Sequence, residues 1–82
     1  GQAPKELVTP DISSTLDEMI NDAIAASGKA VPAMDKTDRV ELMRALDARG
    51  AFRIKRSVDS VALRLGISRV TGYGYLHEIR HE

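Results

Sequence analysis

The sequence predicts a small all-α domain, and three observations carry that prediction. Apolar residues recur at three- and four-residue steps in several separate stretches. Hydroxyl or acidic residues stand where those stretches begin, and glycines where they stop. No alternation of the kind a strand needs runs beyond one short connector.

Gly1 to Pro10 holds two prolines, little periodicity and no clear cap, and reads as a flexible lead-in. From residue 11 the pattern changes. Ile12, Leu16, Met19, Ile20, Ala23 and Ile24 form one stripe with acids opposite, an amphipathic helix that Asp11 or Ser13 would cap and Gly28 would end. Residues 28 to 34, with Pro32, follow as a linker. The stripe has two possible uses, folding back on the rest of the domain or pairing with its copy in a second chain, and pairing through Ile12, Leu16, Met19, Ile20 and Ala23 is the expectation.

A compact unit is expected over residues 35–82. Asp35 opens a second helix, Asp38 sits near its exposed first-turn amides, and Val40, Leu42, Met43, Ala45 and Leu46 supply its apolar side as far as Gly50. Residues 51–56 alternate apolar Phe52 and Ile54 with basic Arg53 and Lys55, which predicts a short extended connector pinned on its apolar side. Ser57 is the expected cap of a third helix through Leu65, and Ser68 the cap of a fourth running to about Arg80.

Between those last two helices the residue types are those a helix-turn-helix needs. Ala62 is the small residue at the crossing, Gly66 makes the tight turn, and Leu65 and Ile67 lock the angle from either side. Successive rotation by 100° along the fourth helix puts Gly72, Tyr75, Leu76 and Ile79 on one side. Arg69, Val70, Tyr73, Gly74, His77 and Arg80 lie around the other, a donor-rich face of the kind that meets phosphates and base edges in a major groove. Gly72 stands where such an arrangement usually packs a branched apolar side chain. With Gly74 it predicts a soft helix, since each internal glycine costs about 1 kcal/mol relative to alanine.

Charge supports the same end of the chain. The 12 basic and 12 acidic residues cancel overall, but residues 1–34 carry two bases against five acids and residues 51–82 carry six against three. The basic end is the candidate for an anionic partner. Double-stranded DNA is therefore the expected partner, touched by Arg53, Lys55, Arg56, Ser57, Ser68, Arg69, Val70, Thr71, Tyr73, Gly74, His77 and Arg80. Paired copies would read two half-sites about 34 Å apart or a multiple of it.

Leu46, Gly50, Ala51, Phe52, Ile54, Lys55, Val58, Val61 and Ala62, followed by Leu65, Gly66, Ile67, Ser68, Arg69, Thr71, Tyr73, Tyr75 and Leu76, carry a family likeness. In these residues the chain resembles the C-terminal DNA-binding domain of YheO-like bacterial transcriptional regulators. Gly28 to Val31 with Met34 resembles the connector of that family. The resemblance implies a transcription factor whose effector is sensed by a PAS-like domain lying ahead of this segment. The family pattern has an apolar residue at 72 and a polar or basic one at 74, where this chain has glycine at both.

Other classes fit less well. A length of 82 residues is too short to enclose the deep pocket most enzymes use, so no enzyme is expected. The acids Asp17, Glu18, Asp35 and Asp38 are accounted for by helix starts and a polar face. Lack of cysteine excludes a disulfide framework and a thiolate metal site and fits the cytoplasm. His77 and His81 are four apart but have no third ligand at useful spacing, so neither metal nor cofactor is expected. Apolar runs of only a few residues predict no membrane span. Since it starts at Gly1, the chain reads as part of a longer protein. The alternative function is a helical protein-interaction module without DNA binding, which a neutral total charge would suit.

Overall fold

The computed structural model describes residues 12–82, apart from the side chain of Ser13. The lead-in and the expected caps Asp11 and Ser13 lie outside that description. Four helices follow one another: α1 (Ile12–Ser27), α2 (Lys36–Ala48), α3 (Ser57–Leu65) and α4 (Arg69–Arg80), with single 3-10 turns at Val31–Ala33 and Ala51–Arg53. Among the described residues there is no strand.

Capping chemistry explains where α2 begins. Asp35 is extended, its carboxylate accepts the Asp38 amide at 2.9 Å, and the Asp38 carboxylate accepts the Asp35 amide at 3.1 Å, a complete capping box. Lys29 donates to the same Asp38 carboxylate at 2.8 Å. That contact raises the lysine's pKa and, by the same hydrogen bond, holds the Asp38 carboxyl below the usual carboxylate range. The end of α1 is thus tied to the start of α2.

The core lies around α2, which packs against both α1 and α4. Met43 and Leu46 are wholly buried on it, joined by Ile20 from α1 and Val61 from α3. Leu16, Met34, Leu42, Ala51, Val58, Leu65, Tyr75 and Leu76 complete the cluster, with Met19, Ala23 and Ile24 partly covered beside them. This corrects the expected use of the α1 stripe. Leu16 and Ile20 are interior residues of the chain itself and face no second copy, and of the residues assigned to pairing only Ile12 stands well exposed, at 65%. Burying two such side chains is worth roughly 3–6 kcal/mol. Pairing through them would first forfeit that gain, so α1 folds back.

The connector also departs from expectation. It is a 3-10 turn over Ala51–Arg53 followed by a bend, with Ala51 buried and Phe52 and Ile54 packed against the core. The alternation survives as an inside and an outside, while the backbone does not extend. Arg56 closes it at φ 63°, the one non-glycine residue with positive φ among those described. That left-handed conformation makes Arg56 the residue preceding α3, and Ser57 becomes the first helical residue, 2% exposed. Ser57 is therefore not the cap, and its burial removes it from any surface that DNA could touch.

Candidate nucleic-acid interface

The third and fourth helices meet through the turn the sequence implied. Gly66 takes φ 70°, its amide donates to the Leu63 carbonyl at 3.2 Å, and the Ile67 amide donates to the Ala62 carbonyl at 3.0 Å. Ser68 then caps α4, its Oγ accepting the Thr71 amide at 3.0 Å and donating to Thr71 Oγ1 at 3.0 Å. Gly72 faces α3 at the crossing. A Cβ there would stand 3.5 Å from the Ala62 Cβ, an ordinary contact, and 3.3 Å from Val58 Cγ1, which would have to give by a few tenths of an ångström. Gly74, by contrast, faces open space.

The outer face of α4 carries Arg69, Val70, Tyr73, Gly74 and His77, all exposed, with Thr71 half-buried at its edge. Val70 is 77% exposed, a branched apolar side chain with no packing role. Arg69 lies with its Nε 3.2 Å from Asp59 Oδ1 on α3 and its guanidinium carbon 5.8 Å from the centre of the Tyr73 ring. Sequence reading passed over Asp59. Its partner lies across the turn, and helical periodicity reports only neighbours on the same helix.

The cations divide into two groups. Lys29 pairs with Asp38, Lys36 with Glu78 at 3.5 Å, Arg49 with Asp22 at 3.4 Å, and Arg44 with Glu41 and Glu82. Arg39 donates to the Met34 carbonyl at 2.8 Å and Arg64 to Asn21 Oδ1 at 2.6 Å. Arg80 reaches Asp47 on α2 at 2.9 Å, a hydrogen bond that raises its pKa. Arg80 was expected at the interface; its guanidinium is instead engaged as a tie between α4 and α2. Arg53, Lys55 and Arg56 form the second group. They are exposed, lie almost consecutively, and have no acidic partner among the described residues. Arg56 is three residues ahead of Asp59, so this cluster sits within a helical turn of the Asp59 and Arg69 pair.

A protein-family profile described as an HTH domain matches residues 15–77, more than half of the chain. The chain belongs to this helix-turn-helix family. Neither a curated protein nor a solved structure matches it. The matched span covers α3, the turn and most of α4, and also reaches back through α1, so the HTH domain includes the helix that the sequence had assigned to pairing. The helix-turn-helix is a DNA-binding fold in which the second helix of the motif enters the major groove. In this HTH domain the second helix of the motif is α4.

The remaining surface offers little for other chemistry. The His77 and His81 rings lie 4.1 Å apart, centre to centre, beside Tyr73, Leu76 and Arg80 at the edge of an open depression. Among the described residues no three His, Asp or Glu side chains gather to hold a metal ion. No helix of the described residues is long and apolar enough to cross a membrane.

Proposed function

We propose that this HTH domain binds duplex DNA sequence-specifically as the DNA-reading part of a bacterial transcriptional regulator. Residues 68–80 lie in the major groove. Arg53, Lys55 and Arg56 neutralise phosphates, and the capped start of α4 at Ser68 and Thr71 approaches the backbone with its exposed amides. Arg69 reads a base edge, Val70 meets a thymine methyl group, and Tyr73 and His77 supply further donors. Gly74 leaves the groove wall free to come close to the helix. Ser57 takes no part, being buried, and Arg80 is left out because the terminal nitrogen that would reach a phosphate is bonded to Asp47, whereas Arg69 meets its acid through Nε.

The observation that carries this reading is the placement of the unengaged cations. The total charge is zero, yet the three cationic side chains that make no hydrogen bond or ion pair among the described residues, those of Arg53, Lys55 and Arg56, lie together just ahead of α3, whose Asp59 meets Arg69 of α4. The resemblance to YheO-like regulators supports the regulatory role and implies that an effector is sensed by another domain of the regulator.

The test is a titration of isotope-labelled protein with a mixed-sequence duplex, following the backbone amides by NMR at low and high salt. Shifts centred on residues 53–56 and 68–77 that vanish as salt rises support the proposal. Each neutralised phosphate contributes a slope of about −0.9 in log affinity against log salt. The protein-interaction reading rests on Leu63, 82% exposed, and on Val70. An absence of salt-sensitive shifts with all four helices folded would favour it instead.

A further inference from the structure

We propose that Asp59 is a positioning residue for base recognition, holding Arg69 by its Nε edge so that the two terminal nitrogens face the groove. The inference rests on the DNA-binding reading above and names the specificity device within it.

Arginine has one donor on Nε and four on its terminal nitrogens, and the commonest specific contact to guanine uses two parallel N–H groups on O6 and N7. A free arginine can offer either its end or its side. Here the side lies against a carboxylate, with Nε 3.2 Å from Asp59 Oδ1 in an ion pair. The Tyr73 ring, one turn along α4, lies against the same guanidinium at 5.8 Å. With carboxylate and ring beside it, the side chain is still 66% exposed, which leaves its terminal nitrogens as the fork assigned to the base. Asp59 Oδ1 is shut off from solvent and accepts no well-directed hydrogen bond, so its charge is answered by the Arg69 ion pair. A long side chain held in place before binding loses less freedom on docking than one that must be ordered at the interface.

The same carboxylate is a negative charge beside a surface that meets phosphates. It therefore opposes indiscriminate DNA binding while it favours the correct base. Neutralising it has opposite effects on the two, a signature that loss of structure cannot produce. An exposed pair of this kind adds little to folding stability, so its trace belongs in discrimination rather than in Tm.

The experiment selects duplexes from a random-sequence pool with the wild-type chain. It then measures affinity for the winning duplex and for a scrambled duplex, using wild type, Asp59→Asn, Arg69→Lys and the double variant. The expected result is that Asp59→Asn lowers the ratio of the two affinities roughly tenfold, with affinity for the scrambled duplex unchanged or raised. In the Arg69→Lys background the same change leaves the ratio where it is. A wild-type ratio in Asp59→Asn, or a parallel loss on both duplexes with a fall in Tm, overturns the positioning role while leaving DNA binding intact. Failure of the wild-type chain to enrich any sequence overturns the sequence-specific reading, and this proposal with it.

Discussion

Where α2 meets α4, Lys36 reaches Glu78, Arg44 reaches Glu82, and Arg80 reaches Asp47, so cations there tie helices together. In the connector ahead of α3, Arg53, Lys55 and Arg56 reach no acid among the described residues. The difference shows why a net charge of zero says little about an anionic partner. A cation already facing a carboxylate contributes little field at a distance, and only the uncompensated ones attract. Nor do the tied cations hold the fold by themselves, because exposed ion pairs are worth about 0–1 kcal/mol each. The buried side chains around Met43 and Leu46 do that.

The strongest way to break the comparison is to attack the scaffold half. Ile20→Ala should cost roughly 2–5 kcal/mol, since Ile20 is wholly buried between α1 and α2. Denaturation at two protein concentrations checks it. If the loss depends on concentration, α1 stabilises an assembly rather than its own chain. Gly72→Val comes next, with an expected loss of about 1–3 kcal/mol by overpacking against Val58 and Ala62. A raised Tm would restore the view of an under-filled crossing. On the outer face Gly74→Ala should gain about 1 kcal/mol, because the new methyl meets nothing and the helix loses a glycine.

Smaller effects sharpen the division between tied and free cations. Lys55→Ala should leave the unfolding free energy within about 0.5 kcal/mol of wild type while reducing the salt slope of DNA binding by about one. Lys29→Ala, which breaks the pair with Asp38, should do the reverse, with a slight stability loss and an unchanged slope. The pH effect is smallest. The Asp38 carboxyl is held below its unfolded value, so its contribution is present above the unfolded pKa and is lost as pH falls through the folded one. Between about pH 5 and pH 2 the melting temperature of wild type should fall more than that of Asp38→Asn.

Much of this was legible in the sequence because local chemistry decided it. Asp35 with Asp38, Ser68 with Thr71, and Gly66 at its turn are short-range arrangements in which residue type and spacing suffice. Solvent and core faces of α4 followed from rotation alone, with Tyr75 and Leu76 inside and Arg69, Val70 and Tyr73 outside. What escaped was set by distant partners. The α1 stripe announced that Leu16 and Ile20 would be buried but not against what. Arg80 resembled a free cation until Asp47, 33 residues earlier, came alongside it. Ser57 looked like a cap because serine usually is one; the left-handed turn at Arg56, closed by Phe52 and Ile54 seating on the core, moved the helix start onto it.

The glycine at the α3 and α4 crossing has one more consequence. Val58 lies two residues beyond Arg56, and Gly72 three residues beyond Arg69. The point where they touch therefore acts as a gauge block between the connector proposed to meet phosphates and the helix proposed to read bases. A methyl group inserted there would re-space two rows of contacts without altering any residue in either. In the proposed mode of binding, register along the duplex is stored at a buried position, and a hunt for altered DNA preference confined to surface residues would overlook it.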